Sequence, residues 1–151
     1  MNKKIIAIFA LLLVALSVSV VSAADSGLLG GDAEQVTING INFTVPDGFK
    51  EDKDLSIDGE VNETSGILYT TWGKGYSNGN DVYYVGVATY DGVEVTDEIP
   101  KLLGGDKKTI NGVDGYDYAS DMLGGFVFAK DGKLVIITTT DANLLEDIVV
   151  K

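Results

Sequence analysis

The chain has 151 residues and a formal net charge of -12, and it contains no cysteine, histidine or arginine. These absences exclude disulfide frameworks, thiol nucleophiles, histidine-based triads, zinc sites built from histidine or cysteine, and arginine clamps for phosphate. The strong negative charge repels a phosphate backbone, so nucleic acid is excluded as a partner.

The chain begins with the pattern of a secretory leader. Lys3 and Lys4 precede an apolar stretch over residues 5–21, and the small residues Ser22-Ala23-Ala24 follow it. The pattern predicts a signal peptide over residues 1–23, cleaved after Ala23 or Ala24, and therefore a secreted protein or one at the extracellular cell surface. The alternative is an uncleaved leader that anchors the chain in a membrane, because the apolar stretch is close to spanning length.

One domain is expected after the leader. Residues 24–35 are small, polar and glycine-rich, which indicates a flexible lead-in, and residues 36–151 are long enough to bury a core of their own. The part that follows the leader carries all 23 acidic residues but only nine of the 11 basic ones, a net charge of -14.

The first half of this domain predicts strands and turns. Asn39-Gly40 between residues 35–38 and 41–45 predicts a tight hairpin, because a type I′ turn needs positive φ at both central residues. Residues 50–65 are acidic and without periodicity, which indicates a loop. Residues 67–72 predict a strand that ends at Gly73-Lys74-Gly75.

The second half predicts a central strand, two helices and two more hairpins. Residues 82–90 are apolar on both faces, as in a strand that is covered on each side. Residues 96–105 predict a short helix capped by Thr96. Hairpins are predicted around Asn111-Gly112 and Asp131-Gly132, and Asp141 is expected to cap a C-terminal helix.

These elements together predict an α+β fold. Its centre is an antiparallel, hairpin-rich, curved sheet of about six to eight strands, with one short mid-chain helix and one C-terminal helix. Thr37-Ile38-Asn39-Gly40-Ile41 recurs nearly unchanged as Thr109-Ile110-Asn111-Gly112-Val113. We favour two independent hairpins of the same turn type over a duplicated unit, because the turn alone accounts for most of the match.

Several segments carry a resemblance to a known group. The chain has TINGINFTVPDGF, then DKKTINGVDGYDY, then GGFVFAKDGKLVIITTTDANLLEDIVV after its leader. In this it resembles small secreted proteins of methanogenic archaea, and in element order it is more loosely similar to the sandwich of the PsbP and Mog1 type. The resemblance implies a location and an archaeal host, and it carries over no catalytic residue.

The acidic segment is the metal candidate. Its oxygen-bearing side chains match the front half of a calcium loop, with glycine at the sixth position and an aliphatic residue at the eighth. The twelfth position is Ser65 instead of a bidentate glutamate, so a solvated acidic loop is the favoured interpretation and no cofactor is expected. The candidate calcium ligands are Asp54, Ser56, Asp58, Glu60 and Glu63.

Aromatic residues and two sequons complete the candidates. Tyr69, Trp72, Tyr83 and Tyr84 alternate along two strands, so some of them could form a surface for a protein or a glycan and the others belong to the core. Asn62 and Asn42 each begin an Asn-X-Thr sequon, and Asn62 is the more accessible of the two if residues 50–65 form a loop.

No motif singles out a catalytic set, so the predicted function is a non-enzymatic binding domain that is secreted or associated with the cell envelope. Its partner is an unidentified protein or glycan at the cell surface, and a membrane is involved only if the leader is retained. The alternatives are a carboxylate-based hydrolase of extracellular glycan and a purely structural envelope component.

Overall fold

The computed structural model describes residues 33–118 and 123–150. The predicted leader over residues 1–23 and nearly all of the predicted lead-in lie outside the described residues. Within the described part, the strands are β1 (Glu34–Ile38), β2 (Ile41–Val45), β3 (Lys50–Thr64), β4 (Ile67–Ser77), β5 (Val82–Tyr90), β6 (Lys107–Ile110), β7 (Val113–Asp117), β8 (Gly124–Lys130) and β9 (Lys133–Thr139). The helices are α1 (Glu98–Leu103) and α2 (Leu144–Ile148).

The strands form two antiparallel sheets. β1 and β2 make a separate hairpin, and the other strands make a seven-stranded sheet in the order β3-β4-β5-β9-β8-β7-β6. The predicted α+β class, the hairpin-rich antiparallel sheet and both short helices are confirmed. β1 begins at Glu34, so the last two residues of the predicted lead-in belong to a strand.

Three hairpin turns have the predicted backbone conformation. φ is 44° and 81° at Asn39 and Gly40, and 51° and 80° at Asn111 and Gly112. Asp131-Gly132 repeats the pattern between β8 and β9. The three turns fix the register of β1 with β2, of β6 with β7 and of β8 with β9.

The predicted loop over residues 50–65 is wrong. β3 covers nearly all of it and pairs with β4 across a fourth hairpin, in which φ is 51° at Ser65 and 76° at Gly66. Irregularities between Asp52 and Ile57, and at Gly59, break the two-residue alternation by which a strand is recognised. The acidic residues also lower the strand propensity of residues 50–65, so the sequence of this segment indicates a loop.

The predicted end of the next strand at Gly73-Lys74-Gly75 is also wrong, because β4 continues to Ser77. The two glycines are needed for close packing inside the sheet and do not form a turn. A Cβ atom at Gly73 would overlap the Tyr84 side chain, and a Cβ atom at Gly75 would overlap Leu55. Two large side chains therefore lie directly on the backbone of β4 at positions where any other residue would displace them.

Each face of the main sheet has its own hydrophobic core. On the first face, the β1–β2 hairpin and α2 pack over β5, β8 and β9. On the second face, α1 and the segment that precedes it pack over β5, β7, β8 and β9. Val85 and Val87 of β5 belong to the first core and Ala88 and Tyr90 to the second. This two-sided burial confirms the prediction for β5.

The predicted helix caps are wrong. Asp97, and not Thr96, occupies the N-cap position of α1, and its carboxylate accepts a hydrogen bond from the Tyr116 hydroxyl (2.7 Å). Asn143 precedes α2, and the Asp141 carboxylate accepts from the Asn143 backbone N–H (2.9 Å). In the part of the chain that the structure describes, neither helix is long and apolar enough to cross a membrane.

The two Asn-Gly turns of the repeated sequence differ in what the asparagine side chain does. The Asn111 side-chain amide donates to the backbone carbonyls of Glu146 (2.6 Å) and Val149 (2.9 Å), and so ties the β6–β7 turn to the end of α2. The corresponding contact at Asn39 runs through its backbone carbonyl, which accepts from the Lys133 ammonium. The shared sequence therefore encodes a shared turn but not a shared contact.

This difference gives a matched pair of variants. Glycine keeps the positive φ of the turn, so Asn39→Gly removes no hydrogen bond that the turn depends on. Asn111→Gly removes two, and we expect it to lower the free energy of unfolding by about 1–2 kcal/mol more than Asn39→Gly. Urea denaturation of both variants measures the difference. Equal losses would show that the Asn111 contact to α2 contributes nothing to stability.

Candidate functional site

The candidate calcium ligands lie along β3 and do not surround a common point. Glu60 pairs with Thr71 and Glu63 with Leu68, without a bulge between them. The two glutamates are three positions apart on a strand, so their side chains point to opposite faces. Calcium needs six to eight oxygens around one centre, which an extended strand does not provide. The structure describes no group of three or more acidic residues that could hold a metal ion within residues 33–118 and 123–150.

The beginning of β3 is held by an ion pair. The Lys74 ammonium lies 3.0 Å from the Glu51 carboxylate, and the Ser56 hydroxyl donates to the same carboxylate (3.0 Å). The hydrogen bond from Lys74 lowers the pKa of Glu51 below its usual value. Ser56 therefore stabilises the local fold of β3, and Glu51 is kept in its charged form.

The predicted aromatic surface is divided between the two cores. Tyr69 and Tyr83 are buried, with 4% and 1% of their surface exposed, so neither forms part of a partner surface. Trp72 is half-buried against the first core. Tyr84 is half-buried on the second face, where its ring contacts Gly73 and Gly86.

Tyr83 and Tyr84 have distinct surroundings. Tyr83 stacks on Tyr76 at a centroid distance of 5.0 Å and lies 5.1 Å from Phe49, and its hydroxyl has no hydrogen-bond partner among the described residues. Burial raises the pKa of Tyr83 strongly. Burial and the charge of Glu60 raise the pKa of Tyr84 to about 12. Both phenols are therefore neutral near pH 7.

The two sequons differ in exposure from the expectation. Asn42 is exposed on β2, where its side-chain oxygen accepts from the Thr37 hydroxyl (2.7 Å). Asn62 is half-buried on β3, and its amide donates to Glu60 (3.1 Å). Asn42 is thus the more accessible of the two, because Asn62 lies on a strand and not in a loop. Glycosylation at either residue stays a prediction.

The structure reveals a surface that the sequence did not predict. On the first face, the described cover ends near Trp72, and beyond it four side chains of β3, β4 and β5 form what we call the open corner. Its members are Val61, Leu68, Thr70 and Thr89. Val61 is 62% exposed and Leu68 46% exposed, and the depression that they line encloses about 360 Å³.

The open corner has an acidic rim. Glu63 is the direct partner of Leu68 in the β3–β4 pairing, and Asp91 lines the depression from the end of β5. Between residues 57 and 93 the sequence has one basic residue, Lys74, which pairs with Glu51. The apolar surface is therefore bordered by negative charge without a lysine of the same segment beside it.

A second depression, of about 510 Å³, lies beside α1 and the β6–β7 hairpin. Its lining includes Asp97, Lys107, Asp114 and Lys130. The Lys107 ammonium lies 3.8 Å from the Asp114 carboxylate, and Asp97 is bound by the Tyr116 hydroxyl. This hydrogen bond raises the pKa of Tyr116. The charged side chains of the second depression are thus largely paired with other groups of the chain, so the open corner is the stronger candidate for a binding surface.

Sequence reasoning missed the open corner because it placed Val61 in a loop. The signal that could have found it is Ser65-Gly66, a turn dipeptide between two segments of hairpin length. With that hairpin recognised, Val61 and Leu68 fall on one face of two paired strands.

Comparisons of the chain with protein-family models, with curated proteins and with solved structures give no match. The open corner is therefore interpreted from its own chemistry.

The contact of Tyr84 with Gly73 can be tested by a double-mutant cycle. Gly73→Ala should be strongly destabilising, because the new methyl group displaces the Tyr84 ring. In Tyr84→Ala, the same Gly73→Ala change should cost at least about 1 kcal/mol less, because the obstacle is gone. Gly105→Ala is the control, since its Cβ would meet only an ordinary contact at 3.6 Å. If the losses of unfolding free energy of Gly73→Ala and Tyr84→Ala are simply additive in the double variant, the contact between Tyr84 and Gly73 is contradicted.

Proposed function

We propose that the chain is a non-enzymatic binding domain, secreted or held at the cell envelope, whose partner docks on the open corner. The observation that supports this most is the exposure of Val61 and Leu68, side by side on an otherwise well-covered sheet. Removing such side chains from water is favourable by about 25 cal/mol for each Å² of apolar surface, before the entropic costs of association are subtracted. The secretory pattern of the first 24 residues supports the location.

The chemistry of the open corner favours a protein over a glycan. Sugar rings are usually held against the flat faces of aromatic side chains, whereas the side chains of the open corner are valine, leucine and threonine. Tyr90 also lines the depression, but it is 7% exposed and its side chain belongs to the second core. Of the aromatic candidates near it in sequence, Tyr69 is buried and Trp72 is half-buried against the first core. A glycan hydrolase and a structural envelope component stay alternatives, but the surface has the composition of a protein contact.

Site-specific photo-crosslinking tests this proposal. A benzophenone amino acid replaces Leu68 in one variant and Leu102 in another, and each full-length variant is expressed in cells of the source organism. Leu102 is the matched control because it is 42% exposed but lies on α1, away from the open corner. We expect a discrete covalent adduct with a protein from position 68 and none from position 102.

A second change makes the result specific to the surface. Val61→Asp places a charge on the open corner at a position that is 62% exposed. It should remove the adduct from position 68, while the free energy of unfolding changes by less than about 1 kcal/mol. The proposal is wrong if position 68 gives no adduct, or if both positions label the same proteins with equal yield.

A further inference from the structure

β3 is an edge strand of the seven-stranded sheet and pairs on one side only among the described strands. Edge strands carry a row of backbone N–H and C=O groups that can pair with another chain. The part of β3 next to the open corner is the regular one, because the pairing from Glu60 to Thr64 is continuous. The backbone from Glu60 to Thr64 is therefore regular enough to pair with a further strand.

The hairpin geometry determines which groups point outward. Thr64 and Ile67 flank a two-residue turn and form a hydrogen-bonded pair, and so does Asn62 with Tyr69. The backbone groups of Val61 and Glu63 consequently point away from β4. The same alternation applies to Leu68, the partner of Glu63 on β4. Its carbonyl points away from β3, toward β5, and accepts from the Asp91 N–H (2.8 Å).

The outward backbone groups and the open corner belong to the same residues. Val61 and Glu63 have their side chains on the first face, beside Thr70 and Leu68. A strand added to this edge would place every second side chain next to Val61 and Glu63, and the intervening ones next to Glu60. Favourable cross-strand pairs are a β-branched residue opposite Val61 and a lysine or arginine opposite each glutamate.

We propose that the partner of the open corner is an extended, basic segment of another protein, which adds to β3 as an eighth strand. This rests on the proposed function and specifies its mode: main-chain hydrogen bonds to Val61 and Glu63 bind the segment, and the acidic rim selects its charge. In an antiparallel arrangement the segment has the pattern Lys-Thr-Val-Lys, with the first lysine opposite Glu63 and the second opposite Glu60.

A second copy of this chain is the wrong occupant for the same edge. Pairing β3 with β3 would bring two copies of Glu60 and Glu63 together, and the C-terminal half of the strand offers no cation to either. Like charges on neighbouring strands are destabilising. The acidic edge thus opposes self-association and favours a basic partner.

The test uses a cyclic hairpin peptide whose outer strand reads Thr-Lys-Thr-Val-Lys-Thr. Cyclisation keeps the strand extended, so that little ordering is lost on binding. The control peptides carry glutamate in place of both lysines, or N-methyl groups on the valine and the first lysine, the residues opposite Val61 and Glu63. Binding to the full-length, ¹⁵N-labelled chain is followed by shifts of its backbone amide signals.

We expect the basic peptide to shift the amide signals of Val61 and Glu63 most. N-methylation should weaken binding about tenfold or more, because it removes main-chain hydrogen bonds. The glutamate peptide should bind at least about fivefold more weakly, and Glu60→Lys with Glu63→Lys should reverse this preference. The variants Lys107→Glu and Lys108→Glu, on the opposite edge strand β6, should leave binding unchanged.

Three outcomes overturn the proposal. Equal binding of the N-methylated peptide would exclude strand addition, and equal binding of the glutamate peptide would exclude selection by charge. No shift at β3 with any peptide would mean that the acidic edge only prevents aggregation. In each case an adduct from position 68 would still support the proposed function. Failure of strand addition can therefore be distinguished from failure of the proposed binding function.

Discussion

The structure depends on one strand that is apolar on both faces. β5 places Val85 and Val87 in one core and Ala88 and Tyr90 in the other, so a single sheet layer cannot bury it. Two covers are required, and the chain provides them at different points of its length. The β1–β2 hairpin and α2 cover one face, and α1 with the segment before it covers the other.

The two ends of β4 differ in how well they are covered: one end is closely packed and the other is partly exposed. Toward its C-terminal end, Gly73 and Gly75 let Tyr84 and Leu55 lie on the backbone, so the second face is sealed by side chains of the sheet itself. Toward its N-terminal end, the first face extends past the described cover, and Leu68 is left exposed next to Val61. The same strand is therefore packed as a core element at one end and presented as a surface at the other.

Turn chemistry and strong alternation made much of the fold predictable from the sequence. Asn39-Gly40, Asn111-Gly112 and Asp131-Gly132 are local signals, because positive φ is a property of the turn residues themselves. β3 was not predictable in this way, because its acidic residues and its irregular register conceal the strand and only the pairing with β4 reveals it. Gly73 and Gly75 were read as a turn for a similar reason: their role depends on Tyr84 and Leu55, which are distant in sequence.

The candidate site was less predictable than the fold. A surface is defined by what fails to cover it, and exposure of Leu68 depends on where the β1–β2 hairpin ends in space. The aromatic residues, which are the usual sign of a binding surface, are divided between the cores because Tyr69 and Tyr83 fill volume there. Small aliphatic side chains give no comparable signal in the sequence, and their significance comes from their position beside an acidic edge.

The most direct measurement of the central claim is amide hydrogen exchange along β3 in the full-length chain. If β3 is an open edge, protection alternates: the N–H groups of Asn62 and Thr64, which bond to β4, exchange slowly, and those of Val61 and Glu63 exchange at nearly the rate of an unstructured peptide. Uniform protection from Val61 to Thr64 would contradict the account, because it would mean that this edge is already covered.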